Sequence, residues 1–303
     1  MKKNLILFLF FFSAFHLSAQ TTGYLENKGA SIYYEITGTG DPILFLHGGP
    51  GLNHTYMLPW FNALSKKHKL VFFDQRACGN SAKNILKSSV TLKNTVDDID
   101  ALRKMLKVDK INIIAHSFGC LLAAKYAEDY PARIKSMVLL NPVPLSKEYE
   151  KASEELEKEN TDKITKRKVD SILNSPAFKA GNPAAYNDLY KQSFRPVFHN
   201  RKFGDQFSIT MEAGVDTDRL KLFNMIPELT GYNFYDKLNT INCPVIVVNG
   251  KYDLIPVDAQ LRIKEGINNC WWQVMDKSGH FPFIEQQSDL VYLIRTFLVS
   301  HNL

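Results

Sequence analysis

The sequence predicts an α/β fold in which a mostly parallel sheet is flanked by helices and interrupted by a helical insertion. Short apolar runs of strand length alternate with helix-forming segments through the first half of the chain. This alternation stops after residue 144 and resumes near residue 244. The 303 residues are enough for one large α/β domain with an insertion, or for two small domains.

The first 19 residues have the pattern of a secretory signal peptide. Lys2 and Lys3 give a positive start, residues 5–12 are an unbroken apolar run, and Leu17-Ser18-Ala19 is an acceptable cleavage site. The apolar run is too short to span a bilayer comfortably. We therefore expect export to the periplasm or the medium, with no stable membrane insertion after signal removal. An uncleaved anchor is the alternative.

The elements before the insertion follow in order. Apolar composition predicts strands at residues 31–36, 43–46, 70–73, 111–115 and 136–140. Helices are predicted at residues 56–66, 91–106 and 121–127. Strands that are apolar throughout and separated by helices indicate a parallel sheet covered on both faces.

Residues 145–235 have no strong β pattern. A charged helical segment covers residues 147–171, and a series of aromatic residues without strand alternation follows. We interpret this segment as a helical cap over the sheet, which leaves residues 20–144 and 236–303 as the core. The core is completed by strands at residues 244–249 and 271–275 and by helices at residues 257–267 and 289–299.

Charge and cysteine content exclude some functions. The net charge of +6 falls to +4 when the two signal lysines are removed, and no dense Lys/Arg tract indicates a nucleic-acid partner. Cys78, Cys120, Cys243 and Cys270 form no C-x-x-C pair, which argues against a zinc site. Export would permit a Cys243–Cys270 disulfide between neighbouring strands, and free thiols are the alternative.

Ser117 lies between an apolar run and a helix-forming segment, in Ala115-His116-Ser117-Phe118-Gly119. A sharp strand-to-helix turn lifts a serine hydroxyl clear of the backbone, and the following helix N-terminus favours an anion. The pentapeptide alone is a weak signal, because an ordinary strand–helix turn can have the same sequence.

Other residues with suitable chemistry also follow predicted strands. Gly48 and Gly49 follow the strand at 43–46, Asp253 follows that at 244–249, and His280 follows that at 271–275. The carboxyl ends of parallel strands share one edge of a sheet, where ligands bind. We therefore predict Ser117 as nucleophile, His280 as base and Asp253 as the acid that orients it.

The glycine-rich loop His47-Gly48-Gly49-Pro50-Gly51 allows close approach of the backbone to a ligand. The glycine spacings of phosphate-binding loops are absent, so the loop is predicted to stabilise an oxyanion, and a plain surface loop is the alternative. The N–H groups of Gly49 and Phe118 would be the donors.

Polar residues near these candidates in the sequence are expected to support the structure and not to take part in catalysis. His47 is expected to brace its own loop, and His116 to line the site. Asp97 and Asp98 are interpreted as helix-start residues. Asn141 follows a strand but, as an amide, cannot be the acid.

Two motifs resemble those of a known family. The loop at residues 47–51 matches HGGPG, and residues 74–81, Asp-Gln-Arg-Ala-Cys-Gly-Asn-Ser, resemble D-Q-R-G-x-G-x-S. In both, the chain resembles the proline iminopeptidase family of serine peptidases, which has the α/β-hydrolase fold. This resemblance implies the same triad and oxyanion hole, and cap carboxylates that hold the free amino group of the substrate. Glu212 and Glu228 are the candidates for these carboxylates.

The implied activity is an aminopeptidase that releases N-terminal proline or small residues from short peptides. Its mechanism requires no metal and no organic cofactor. An esterase or lactonase with the same triad is one alternative, and a ligand-binding protein with a vestigial site is another. The sequence does not predict an oligomeric state.

Overall fold

The computed structural model describes residues 20–83, 85–211 and 229–303. The strands in these ranges are β1 Thr21–Asn27, β2 Ala30–Thr37, β3 Asp41–Leu46, β4 His68–Phe73, β5 Ile111–His116, β6 Ile134–Leu140, β7 Val245–Gly250 and β8 Cys270–Met275. They form an eight-stranded sheet in the order β1-β2-β4-β3-β5-β6-β7-β8.

The sheet is parallel from β4 across to β8, which confirms the predicted fold class. β1 and β2 extend it as antiparallel strands. β5 and β7 are buried along their whole length, and such strands read as continuous apolar runs. β1 is polar and partly exposed, and the sequence pattern did not reveal it.

The α-helices of the described residues are α1 Leu92–Met105, α2 Phe118–Asp129, α3 Glu150–Asn160, α4 Lys163–Asn174, α5 Pro176–Lys179, α6 Pro183–Phe194, α7 Val257–Gly266, α8 Pro282–Glu285 and α9 Gln287–Ser300. The charged helical segment predicted at residues 147–171 therefore contains two helices, α3 and the first part of α4. Asp162 separates α3 from α4, because its carboxylate accepts hydrogen bonds from the N–H groups of Ile164 and Thr165 and caps α4.

The helix predicted at residues 56–66 is wrong. The chain forms separate 3₁₀ turns there, including Leu58–Trp60 and Asn62–Lys66. Pro59 lacks a backbone N–H, and Phe61 at φ −106°, ψ 3° leaves the helical region between the two turns.

Side chains alternate between the two faces of the sheet and form a core on each. On one face Leu44, Leu46 and Ile113 pack with residues of α1 and α2. On the other face Phe45 and Ile114 pack with residues of α9 and with aromatic side chains from the segment between β6 and β7. That segment is therefore attached to the sheet by apolar contacts.

All four cysteines are free thiols in the structure. β7 and β8 are neighbours, as predicted, and Cys270 pairs with Val245 across them. The Cys243–Cys270 disulfide that export would permit is therefore not formed, and the alternative of free thiols is correct. Among the described helices, none combines the length and the apolarity that a bilayer crossing requires.

Candidate active site

The carboxyl edge of the sheet brings together the segments that the sequence singled out. Gly48 and Gly49 follow β3, Ser117 follows β5, Asp253 follows β7 and His280 follows β8. Each of these strands lies in the parallel part of the sheet, so the segments that follow them emerge at one edge.

Ser117 occupies the turn between β5 and α2 in a backbone conformation that L-residues rarely adopt, with φ 55° and ψ −120°. Its N–H donates to the carbonyl oxygen of Leu140 at 2.9 Å, which ties the turn to β6. A Cβ at Gly119 would lie 2.4 Å from the carbonyl oxygen of Leu46. Glycine is therefore needed for α2 to start directly against the end of β3.

His280 and Asp253 form a hydrogen-bonded pair. Nδ1 of His280 lies 3.0 Å from Oδ1 and 3.1 Å from Oδ2 of Asp253. A carboxylate only accepts hydrogen bonds, so Nδ1 carries a proton, and in the neutral form of the ring Nε2 is an acceptor. The backbone N–H of His280 donates to the carbonyl oxygen of Val197 at 2.8 Å, so the segment between β6 and β7 also holds this loop.

Three further groups hold the carboxylate of Asp253. The side-chain amide of Asn141 donates to Oδ2 at 2.6 Å, and that of Gln260 approaches the same oxygen at 3.4 Å. The N–H of Ile255 lies 3.4 Å from Oδ1. As an amide, Asn141 cannot be the acid, and no local pattern in the sequence marks this supporting contact, which joins residues 112 positions apart.

Ser117 and His280 are linked through His116. The rings of His116 and His280 lie 4.8 Å apart between centroids. His116 contacts the hydroxyl of Tyr56 through Nδ1 and the carbonyl oxygen of His280 through Nε2, both at 2.8 Å. Burial holds the pKa of His116 well below its usual value, so the ring is neutral.

The glycine-rich loop lies against Ser117. A Cβ at Gly48 would be 2.9 Å from the Cβ of Ser117, and the N–H of Gly48 donates to the hydroxyl of Tyr56 at 2.6 Å. Gly49 has φ 131°, a value that favours glycine. Phe118 is the first residue of α2, where the helix dipole favours negative charge.

His47 braces this loop as a neutral imidazole. Its Nδ1–H donates to the carbonyl oxygen of Gly48 at 2.8 Å, and its Nε2 accepts from the N–H of Gln75 at 3.0 Å. Burial lowers the pKa of His47 to about 4. The side chain of Gln75 also donates to the carbonyl oxygen of His47 at 2.6 Å, so the second residue of the DQR motif supports the glycine-rich loop.

The first residue of the motif, Asp74, is buried and pairs with His54. Its Oδ1 contacts Nδ1 of His54 at 2.6 Å and accepts from the backbone N–H of His54 at 3.0 Å. Glu35 lies 3.5 Å from Nε2 of the same ring. Burial lowers the pKa of His54, but the hydrogen bond to Asp74 and the negative charges of Asp74 and Glu35 outweigh it and raise the pKa to about 9.

The third residue, Arg76, is fully buried and binds Asp98 through two hydrogen bonds, at 2.9 Å and 2.6 Å. The interpretation of Asp97 and Asp98 as helix-start residues is wrong. α1 begins at Leu92 after an N-cap at Thr91, and Asp98 faces Arg76 from within the helix. The DQR motif thus supports the site without contacting the catalytic candidates.

A cavity of about 400 Å³ opens beside Pro50 and Phe118. We call it the acidic cavity, because α3 contributes Glu150, Glu154 and Glu157 to its lining. Glu150 forms an ion pair with Lys147. Glu212 and Glu228, the carboxylates singled out from the sequence, lie outside the described residues. Within the described ranges, no group of three or more His, Cys, Asp or Glu side chains is arranged to hold a metal ion.

Comparisons with known proteins agree with this architecture. The family model described as alpha/beta hydrolase fold matches residues 41–287. A proline iminopeptidase from Lactobacillus delbrueckii subsp. lactis is 26% identical over 298 residues, covering 93% of this chain and 99% of the relative.

Solved structures also superpose along most of the chain. That of a proline iminopeptidase from Mycobacterium smegmatis matches with a TM-score of 0.68 at 18% identity, covering 93% of this chain and 98% of the other. That of a thermophilic esterase from Thermogutta terrifontis matches with a TM-score of 0.69 at 20% identity, covering 93% and 99%. At these identities the structural likeness concerns the fold.

Proposed function

The chain belongs to the α/β-hydrolase fold family, and on that premise we propose that it is a serine hydrolase with Ser117 as nucleophile. The observation that carries this proposal is the His280–Asp253 pair, which lies at the carboxyl edge of the sheet beside the strained turn at Ser117. A serine hydroxyl is a weak nucleophile unless a base is within reach, and a neutral imidazole held by a carboxylate is such a base.

The proposed reaction has two halves. Nε2 of His280 takes the proton of Ser117 while Oγ attacks the substrate carbonyl carbon. The tetrahedral intermediate collapses as the imidazolium protonates the leaving amine or alcohol, and an acyl-serine remains. Water then attacks this ester while His280 takes its proton. The second tetrahedral intermediate collapses with cleavage of the bond to Oγ, the imidazolium returns the proton to Ser117, and the acid is released.

The backbone supplies the oxyanion donors in this mechanism. The N–H of Gly48 already donates to Tyr56, so Gly49 is the residue of the loop assigned to the substrate oxygen. Phe118 at the start of α2 is the second donor, and the dipole of the helix supports the same negative charge. One such donor is worth roughly a hundredfold to a thousandfold in rate.

We further propose that the substrate is a short peptide with N-terminal proline or a small residue. The curated relative named a proline iminopeptidase supports this choice. The acidic cavity beside Phe118 and Pro50 supports it independently, because an unblocked N-terminus carries a positive charge. Glu154 and Glu157 are the carboxylates that we assign to this ammonium group, since Glu150 already pairs with Lys147.

The test compares hydrolysis of proline-4-nitroanilide with that of 4-nitrophenyl acetate. We expect anilide turnover that disappears in Ser117→Ala, together with labelling of the wild type by a fluorophosphonate. In Glu154→Gln/Glu157→Gln we expect KM for the anilide to rise about tenfold, equivalent to about 1.4 kcal/mol, with ester hydrolysis unchanged. Glu155→Gln is the matched control, because Glu155 lies on the same helix and pairs with Lys151.

An esterase or lactonase is the second candidate. The acidic cavity also has an apolar part, to which Leu121, Leu229 and Tyr232 contribute, and this part suits an uncharged acyl group. Ester turnover without anilide turnover would reject the peptidase proposal and favour this one. A wild-type protein that neither hydrolyses nor takes the fluorophosphonate label would instead be a ligand-binding protein.

Export remains part of the proposal, on the strength of the sequence pattern of residues 1–19. We propose that this segment is removed and that the mature protein acts on peptides outside the cytoplasm. N-terminal sequencing of the protein from its native host tests this, and a mature chain that starts at Met1 would contradict it.

A further inference from the structure

A continuous series of hydrogen bonds joins Gly48 to His280 through Tyr56 and His116. It starts at the N–H of Gly48, passes through the hydroxyl of Tyr56 at 2.6 Å, and continues to Nδ1 of His116 at 2.8 Å. It ends where Nε2 of His116 meets the carbonyl oxygen of His280 at 2.8 Å. Both side chains are buried, with Tyr56 and His116 each 1% exposed.

The chemistry of these groups fixes the direction of every bond. The amide of Gly48 only donates, so the oxygen of Tyr56 accepts from it and the single phenolic proton is available for Nδ1 of His116. With Nδ1 as acceptor, the proton of the neutral ring is on Nε2. The backbone carbonyl of His280 only accepts, and it receives that proton. No other protonation state satisfies all three contacts with a neutral imidazole.

We propose that Tyr56 and His116 are positioning residues that fix the oxyanion loop and the backbone of His280 relative to each other. The series of hydrogen bonds links Gly48, the residue before Gly49, with the backbone carbonyl group of His280. His116 is also joined covalently to Ser117, so the same ring is attached to the nucleophile, the base and the oxyanion loop. This inference rests on the proposed serine hydrolase function, because it assigns positions to the parts of that mechanism.

Packing supports this role over that of a general core contact. The ring of Tyr56 lies against Phe207 and Phe283, and the ring of His116 lies against Phe281 and Phe283. Aromatic rings close around this series of hydrogen bonds and exclude solvent, so a partner lost from it is not readily replaced by bulk water. Loss of one of these hydrogen bonds therefore shifts the glycine-rich loop or the backbone of His280, because no water molecule takes the place of the missing partner.

The first experiment measures Tyr56→Phe, which removes the hydroxyl and keeps the ring. We expect kcat for the better of the two chromogenic substrates to fall about 30-fold with KM within twofold, because catalysis and not ground-state binding depends on the alignment. Tyr126→Phe is the matched control: Tyr126 is equally buried, and its hydroxyl donates to Asp100 at 3.2 Å away from the site. It should leave kcat within twofold.

The second experiment is a double-mutant cycle with His116. His116→Asn keeps a side-chain acceptor on the Tyr56 side and loses the donor to His280, and we expect it to lower kcat about as much as Tyr56→Phe. If the series of hydrogen bonds acts as a unit, kcat of the double variant is no more than threefold below kcat of either single variant. Additive losses, or a Tyr56→Phe enzyme with kcat within threefold of the wild type, would overturn the proposal. Thermal unfolding confirms that each variant is folded.

A spectroscopic arm separates this proposal from the proposed function. In ¹⁵N-labelled full-length protein, His116 should show a protonated Nε2 and an unprotonated Nδ1, unchanged from pH 5 to pH 9. The opposite tautomer of His116, or titration of its ring in this pH range, would refute the proposed series of hydrogen bonds even in an active enzyme. Absence of fluorophosphonate labelling in the wild type would instead refute the serine hydrolase assignment, and the tautomer would still report whether this series of hydrogen bonds exists.

Discussion

Asn141 donates its side-chain amide to Oδ2 of Asp253 at 2.6 Å and also reaches the carbonyl oxygen of Gly279 at 3.1 Å. It thereby joins the end of β6 to the loops after β7 and β8, and it does so from φ 47°. Asp253 and the loop that carries His280 are thus held by one residue that takes no part in the proposed chemistry.

Asn141→Ala should lower kcat about tenfold with little change in KM. A hydrogen bond to a charged group contributes about 1.5–3 kcal/mol, and its loss frees the carboxylate to rotate away from Nδ1 of His280. Steady-state kinetics measure this effect. Asn112→Ala is the control, because Asn112 is a buried asparagine on β5 whose side chain bonds to Ser136. Equal losses in both variants would show that Asn141 acts only through general stability.

Gly279→Ala should damage both stability and activity. A Cβ at this position would lie 2.0 Å from the carbonyl oxygen of Val197, the group that accepts the N–H of His280. Overpacking against a backbone atom costs about 1–3 kcal/mol and would displace the histidine loop. We expect a lower midpoint of urea unfolding and a kcat reduced at least 30-fold.

Gly231→Ala is the matched control for this change, because its added Cβ would have nothing within 4 Å. It should leave the unfolding midpoint and kcat close to those of the wild type. A Gly279→Ala enzyme with wild-type kcat would mean that the contact with Val197 does not position His280.

Arg76→Lys should destabilise the fold by about 3 kcal/mol, although Arg76 does not contact Ser117, Asp253 or His280 in any of its hydrogen bonds. The guanidinium binds Asp98 with two hydrogen bonds and also donates to the carbonyl oxygens of Asn27 and Lys28, at 2.9 Å and 3.0 Å. A lysine ammonium cannot make all of these contacts at once. Urea unfolding measures the loss, and Lys135→Ala at an exposed ion pair should cost less than about 1 kcal/mol.

Taken together, the contributions of His47 and His54 to stability are largest near pH 6.5. The folded-state pKa of His54 is raised to about 9, so its stabilising contribution is complete below pH 6.5 and is lost as the pH rises through 9. The folded-state pKa of His47 is lowered to about 4, so its contribution is complete above pH 6.5 and is lost as the pH falls through 4. Each limb has a maximum slope of about 1.4 kcal/mol per pH unit.

Urea unfolding between pH 4 and pH 9 measures both limbs. His54→Gln should flatten the alkaline limb, and His47→Gln should flatten the acid limb while leaving the other intact. If the alkaline limb persists in His54→Gln, another group is responsible for it.

The sequence predicts those features that depend on local pattern. Short runs of β-branched residues, such as residues 245–248, indicate buried strands, so the parallel part of the sheet and the placement of Ser117, Asp253 and His280 after its strands followed from them. β1 was not predicted, because Thr21, Thr22 and Glu26 give this exposed edge strand the polar composition of a loop. The supporting contacts of Tyr56, Asn141 and Asp98 were not predicted, because each joins residues that are separated in the chain and no local pattern marks them.

The unusual backbone of Ser117 has a consequence for engineering. A non-glycine residue held at φ 55°, ψ −120° costs on the order of 1–3 kcal/mol, which the surrounding contacts must supply. Glycine adopts such angles at no steric cost, so Ser117→Gly would remove the proposed nucleophile and relieve this strain. A directed-evolution campaign that screened only for heat resistance would therefore favour loss of the hydroxyl that we propose as nucleophile, and selection must reward turnover and durability together.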